Sequence, residues 1–200
     1  VVGVELRVLR PVGLALPRTH PPLLADRLLS YWHFLSHPDG PRHTEDAKRR
    51  AGLERIDRGD YAGGYVHPFR LVDLSEGVRR LRAKGVEVLL VLPPIEPGVL
   101  DHWLSTPGGR DYLPQLRVAL RALCQIHGAG FADYTDPRPL GYDIESFIDW
   151  FHGGELVYAA MLLDMANRPD LEARLGPYIA PQRLEDALNQ PLTPYTLYPG

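Results

Sequence analysis

Cysteine is nearly absent: Cys124 stands alone among 200 residues, so no intrachain disulfide staples the fold. Lysine is scarce as well, with only Lys48 and Lys84, and arginine supplies the other 20 basic side chains. No apolar run approaches the ~20 residues that a membrane-spanning helix needs. A net charge of -3 lacks the basic excess with which non-specific nucleic-acid binders neutralise phosphates, so no nucleic-acid partner is expected. Serine is limited to Ser30, Ser36, Ser75, Ser105 and Ser146, and asparagine to Asn167 and Asn189, which restricts the catalytic side chains on offer. The chain also opens without methionine on the apolar run Val1-Val2-Gly3-Val4, an opening that reads as a cut made inside a domain.

What is present describes a globular chain. Hydrophobic residues make up 44% and charged residues 24%, and a length near that of one domain is enough to bury a core without a metal or disulfide. Residues 1–9 alternate around Val2, Val4, Leu6 and Val8 before Pro11, the pattern of a strand stopped by proline. Leu24, Leu28, Tyr31 and Leu35 fall at helical spacing, and residues 44–58 form a charged helix expected to be solvated.

From residue 71 the pattern becomes regular. Leu71, Leu74, Val78 and Leu81 mark a helix face, Asp73 with Glu76 resembles a capping box, and Gly85 is a suitable stop. Residues 86–92 are apolar throughout, as in a strand buried on both faces of a parallel sheet. A loop through Trp103 and Gly109 is expected next. A helix carrying Leu113, Leu116, Leu120 and Leu123 then ends at Gly128, ahead of a short strand at 130–134 and a last long helix at 155–167. Such alternation specifies an α/β fold, three-layered, with a mainly parallel sheet flanked by helices and a helical insertion over about 11–68. One domain is expected over residues 1–176, followed by a short helix and proline-rich tail over 177–200.

Ligands of such sheets collect at the carboxyl ends of the strands, here near Arg10, residues 93–96 and residues 134–136. Just beyond the last strand stands Asp149-Trp150-Phe151-His152-Gly153-Gly154. A carboxylate three residues before a histidine, in a turn leading into a helix, can hold one ring nitrogen while the other faces a cleft. The same four residues also suit a plain helix start, with Asp149 as cap and His152 on the surface.

Residues 86–94, 112–127 and 130–136, then Asp149-Trp150-Phe151-His152 with Gly154 and Tyr158-Ala159-Ala160, together resemble the C-terminal half of an SGNH (GDSL-like) hydrolase domain. More narrowly, they are similar to the branch associated with exported acyl-transfer proteins of alginate O-acetylation and teichoic-acid D-alanylation. The resemblance covers about residues 71–167 and rests on order and spacing more than on one diagnostic string. It implies a flavodoxin-related fold and acyl-ester chemistry on a carbohydrate or cell-envelope polymer, with no cofactor. It also implies an extracytoplasmic or membrane-associated setting and a membrane-anchored acyl-transfer partner. In that frame His152 is the general base toward a serine and Asp149 orients it, while Glu96, Asp101 and His102 line the substrate site.

The family's nucleophile segment is not visible. None of the five serines follows a strand with a glycine two residues before it, and both asparagines lie beyond the catalytic loop. Two expectations stand side by side: the serine and first strands lie upstream in a longer protein, or the domain is degenerate and binds without catalysing. Other chemistries find less support. The remaining histidines lack metal-ligand spacing, Asp133, Asp136 and Asp143 serve turns as readily as glycoside chemistry, and Gly153-Gly154 has no Walker-type lysine.

Overall fold

A computed structural model describes residues 45–191 of the chain. The strand expected at residues 1–9, the helix through Leu24 to Leu35 and most of the expected insertion lie outside the described residues. Within them the order is α1 (Glu45–Asp57), α2 (Pro68–Ala83), β1 (Leu89–Leu92), α3 (Pro97–Ser105), α4 (Pro107–His127) and β2 (Gly130–Asp133). Two short 3-10 turns, Arg138–Leu140 and Ile144–Ser146, lead to α5 (Glu155–Asn167), α6 (Pro169–Leu175) and α7 (Pro181–Asn189).

Proline begins α2, α3, α4, α6 and α7. Its fixed φ suits the first helical turn and its missing N–H would be unpaired there anyway, so five of the 20 prolines serve helix initiation. For the same reason α2 starts five residues before the Asp73-x-x-Glu76 pattern. Glu76 is not a capping residue but the partner of Arg79 and Arg80, each at 2.6 Å. Both α2 and α4 end on a left-handed glycine: Gly85 has φ 72° and Gly128 φ 63°. Val86 N–H bonds the Leu81 carbonyl at 3.0 Å and Ala129 N–H that of Cys124 at 2.8 Å, closing each helix with a Schellman turn.

The stretch expected as a loop through Trp103 is instead the helix α3. Glu96 caps it, accepting the N–H groups of Gly98 at 3.0 Å and Val99 at 2.8 Å, and Val99, Leu100 and Trp103 fall on its buried side. Thr106 then ends α3 and starts α4, its Oγ1 accepting the Gly109 N–H at 3.1 Å. Gly109 is required by space: a Cβ there would stand 2.2 Å from the Trp103 carbonyl oxygen.

Strand β1 pairs with β2 in parallel, Leu89 opposite Gly130 through Leu92 opposite Asp133. The described fold is thus helix-rich with a small parallel sheet, which is compatible with the α/β class. Leu90 and Leu92 pack with Val78 of α2 and Leu116 and Leu120 of α4. Leu89, Val91 and Ala132 pack with Val157 and Met161 of α5 and Leu171 of α6, so helices cover both faces of the strand pair. Ile56, Ile95, Val99, Trp103 and Leu113 form a further cluster that binds α1 to α3 and the start of α4. That makes α1 a packed element with one charged face, where the sequence pattern suggests a solvated helix. Leu184 and Leu188 of α7 rest on Leu156 and Ala159 of α5. No helix among the described residues is long and apolar enough to cross a membrane.

Candidate active site

Asp149 and His152 occupy the turn between the second 3-10 turn and α5. The turn is closed at its base, where Ile148 N–H bonds the His152 carbonyl at 2.8 Å and Gly154 N–H bonds that of Ser146 at 2.7 Å. One carboxylate shapes the rest. Oδ1 of Asp149 accepts the backbone N–H groups of Phe151 and His152, both at 2.7 Å, and Oδ2 lies 2.7 Å from His152 Nδ1. Because an ionised carboxylate only accepts, Nδ1 carries the proton and Nε2 is left as the basic nitrogen of the neutral ring.

Burial pushes the Asp149 carboxyl up, but hydrogen bonds from the His152 ring and the Phe151 N–H outweigh it and hold it below its ordinary value. The side chains of His152 and Asp149 are 51% and 33% exposed, so solvent reaches both. They border a cavity of about 440 Å³ lined also by Arg55, Ile56, Tyr61, Ile95, Val99, Trp103, Trp150 and Phe151. It lies beyond the carboxyl end of β1, where Ile95 N–H still pairs with the Thr135 carbonyl at 3.1 Å.

Four aromatic rings give the cavity its walls. Tyr61 stands edge-on to Trp150 at 5.9 Å and to Trp103 at 6.3 Å, and Phe151 meets the His152 ring edge-on at 5.4 Å. The Arg55 guanidinium lies 5.8 Å from the centre of the Trp150 ring, within cation–π range. Apolar walls with a few polar groups at one side are also the character of small-molecule pockets. Arg55 and Tyr61 carry no sequence signal of such a role, since one belongs to a charged helix and the other to a glycine-rich loop. Trp150 is signalled only by standing between Asp149 and His152.

Glu96, Asp101 and His102, expected at the substrate site, do not line this cavity. Glu96 is 0% exposed, and besides capping α3 its carboxylate takes the Arg49 guanidinium at 2.8 Å. Its backbone N–H reaches the Trp150 carbonyl at 3.0 Å, so it supports the Asp149 to His152 turn from behind. Asp101 forms a two-pronged pair with Arg138, both contacts at 3.0 Å, and Arg138 also holds Asp136. His102 Nε2 lies 2.7 Å from Asp57 Oδ1 and joins α3 to α1. Only Trp103 of the Asp101-His102-Trp103 run faces the cavity.

Ser30 and Ser36 lie outside the described residues. Of the other serines none lines the cavity. Ser105 Oγ donates to the His102 carbonyl at 2.6 Å, and Ser75 Oγ lies 2.7 Å from His127 Nε2 between α2 and α4. Among the described residues no three His, Cys, Asp or Glu side chains converge as a metal site. No family model, curated protein or solved structure matches this chain.

Proposed function

We propose that the Asp149–His152 pair is the acid/base part of an SGNH-like acyl-transfer site, completing a three-layer α/β domain of that kind. The carrying observation is the 2.7 Å contact between Asp149 Oδ2 and His152 Nδ1 at the mouth of an aromatic cavity. In this reading His152 Nε2 takes the proton of a serine hydroxyl as its oxygen attacks an ester carbonyl. His152 then returns the proton to the departing alcohol oxygen, leaving an acyl-serine. Water or a sugar hydroxyl attacks that ester in the second half, giving hydrolysis or O-acyl transfer. Asp149 stays ionised and stabilises the imidazolium formed between the two proton transfers.

The substrate class proposed is an acylated carbohydrate or cell-envelope polymer. Aromatic walls suit the apolar faces of sugar rings, and Tyr61, Trp103 and Trp150 supply them. The serine of this reading is not among the described residues that line the cavity. An extracytoplasmic setting and a membrane-anchored acyl-transfer partner follow from the same family resemblance.

A second reading is favoured by one observation, the absence of a serine from the cavity lining among the described residues. It makes the domain an SGNH-like module that binds carbohydrate or an assembly partner without catalysing. A fluorophosphonate serine probe, applied to the full-length product, separates the two. Labelling that disappears in His152→Ala supports acyl transfer; absent labelling, or labelling unchanged by that substitution, rejects it.

A further inference from the structure

The cavity beside Asp149 and His152 has a cation in its wall. Arg55 stands in the last turn of α1, and the chain folds back after that helix so that the Asp60 N–H bonds the Arg55 carbonyl at 3.1 Å. The Asp60 carboxylate thereby comes to lie 3.3 Å from Arg55 Nε, and the guanidinium carbon lies 5.8 Å from the centre of the Trp150 ring. One contact holds the group by Nε and the other by its face. Neither uses the Nη1–Nη2 fork, the edge that matches the two oxygens of a carboxylate.

The acids of this region are committed to other groups. Asp149 spends one oxygen on the Phe151 and His152 N–H groups and the other on the His152 ring. Asp57, two residues beyond Arg55 on α1, pairs with His102 at 2.7 Å, and Glu96 behind the Trp150 turn pairs with Arg49 at 2.8 Å. Asp60 divides one oxygen between Arg55 and Arg58, both at 3.3 Å. Its hold on Arg55 is a long single contact between exposed side chains, which is worth little against water.

We infer that the cavity takes a ligand bearing a single carboxylate, bound through the Nη edge of Arg55, with an apolar face of the same molecule against Tyr61, Trp103 and Trp150. Arg55 lines the cavity together with those three rings, so a molecule that fills it meets the cation and the aromatic walls at once. A guanidinium stacked on a ring is held in one plane and is more weakly hydrated than an ammonium, which lowers the cost of exchanging its water for a carboxylate. Asp60 on the guanidinium and Asp149 on the cavity wall repel further negative charge, which favours a monoanion over a doubly charged phosphate. The inference rests on the cavity being a ligand site and not on acyl transfer, and it holds equally for a module that binds without catalysing.

Titration of the full 200-residue chain with phenylacetate and with its neutral isostere phenylacetamide tests it, followed through the indole N–H shifts of Trp103 and Trp150. Phenylacetate is expected to move both indoles and to bind about fivefold more tightly than the amide, the upper range for one half-exposed charged pair. In Arg55→Gln that preference is expected to fall to about twofold or less, while phenylacetamide binds as before. Equal binding of the two probes, shifts at neither indole, or a preference unchanged in Arg55→Gln overturns the inference. Phenyl phosphate binding more tightly than phenylacetate overturns it too, since the site then prefers a dianion. Should Arg55→Gln unfold the chain, Asp60→Asn decides. With the competing carboxylate removed, phenylacetate is expected to bind about two- to threefold more tightly, and unchanged or weaker binding refutes the role of Arg55. None of these readouts requires a serine, so failure of the acyl-transfer reading leaves them intact.

Discussion

Replacing Asp149 with asparagine separates the two tasks of its carboxylate. The amide oxygen can still accept the Phe151 and His152 backbone N–H groups, each 2.7 Å from Oδ1, so the turn keeps its shape. The amide nitrogen, however, takes the place of Oδ2 and confronts a ring N–H with a second donor. The ring escapes by moving its proton to Nε2, the nitrogen that the proposed acyl transfer needs as a base. Exchanging a half-exposed charged hydrogen bond for a neutral one costs about 1 kcal/mol of stability, while Asp149→Ala, which strips all three acceptor contacts, costs about 2–3 kcal/mol. Loss of the correct tautomer costs on the order of 10⁴-fold in rate in serine triads. Urea unfolding therefore separates Asp149→Asn from the parent by about 1 kcal/mol and Asp149→Ala by more, while under the proposed acyl transfer probe labelling falls by that large factor and ¹⁵N shifts of His152 report Nε2–H. Parent-like labelling, or a ring still protonated at Nδ1, would refute the reasoning. The pH dependence has a definite sign. Because the folded Asp149 carboxyl lies below its ordinary 3.8, its contribution is complete above that value and is lost as pH falls through the depressed one. Unfolding free energy below pH 4 should accordingly fall more steeply for the parent than for Asp149→Asn.

Glu96→Ala removes the α3 cap and leaves the partly exposed Arg49 without its buried partner, and a loss of about 2–3 kcal/mol is expected from urea unfolding; a change under 0.5 kcal/mol would contradict the role given to Glu96. Gly109→Ala drives a methyl to 2.2 Å from the Trp103 carbonyl, and should cost about 1–3 kcal/mol and weaken any ligand binding that quenches tryptophan fluorescence. Cys124 is buried, with its thiol pushed up to about 11 by desolvation, so a disulfide reagent at pH 8 should react with it in urea and hardly at all in the folded chain.

Elements marked by a long period and a firm stop were legible from sequence. Helix α4 with its leucine face and Gly128, helix α5, and the apolar core of β1 all lie where the pattern puts them, because period, boundary and burial agree there. The helix α3 was not, since Pro97 and Gly98 read as loop signals when Glu96 is not credited as a cap. Asp149 with His152 could be paired in advance because three residues of a turn fix their separation. The partners of Asp101 and His102 could not, because Arg138 and Asp57 lie 37 and 45 residues away and meet them only after the helices pack. Surface ion pairs of this kind leave no periodic trace.

Thr106 has a consequence for how the cavity can respond to what enters it. By ending one helix and capping the next it leaves no linker between α3 and α4, so Trp103 and Leu113 belong to one stiff corner. The opposite wall, Arg55, Ile56 and Tyr61, comes from α1 and the loop after it, fastened to that corner by the partly exposed Arg49–Glu96 pair and the exposed Asp57–His102 contact. A bulkier occupant is therefore expected to be accommodated by yielding of α1, resisted by these two side-chain ties together with the apolar contacts of Ile56 on Val99 and Trp103. Substitutions that change the size of ligand the cavity admits are expected on the α1 side, at Arg55, Ile56 and Tyr61.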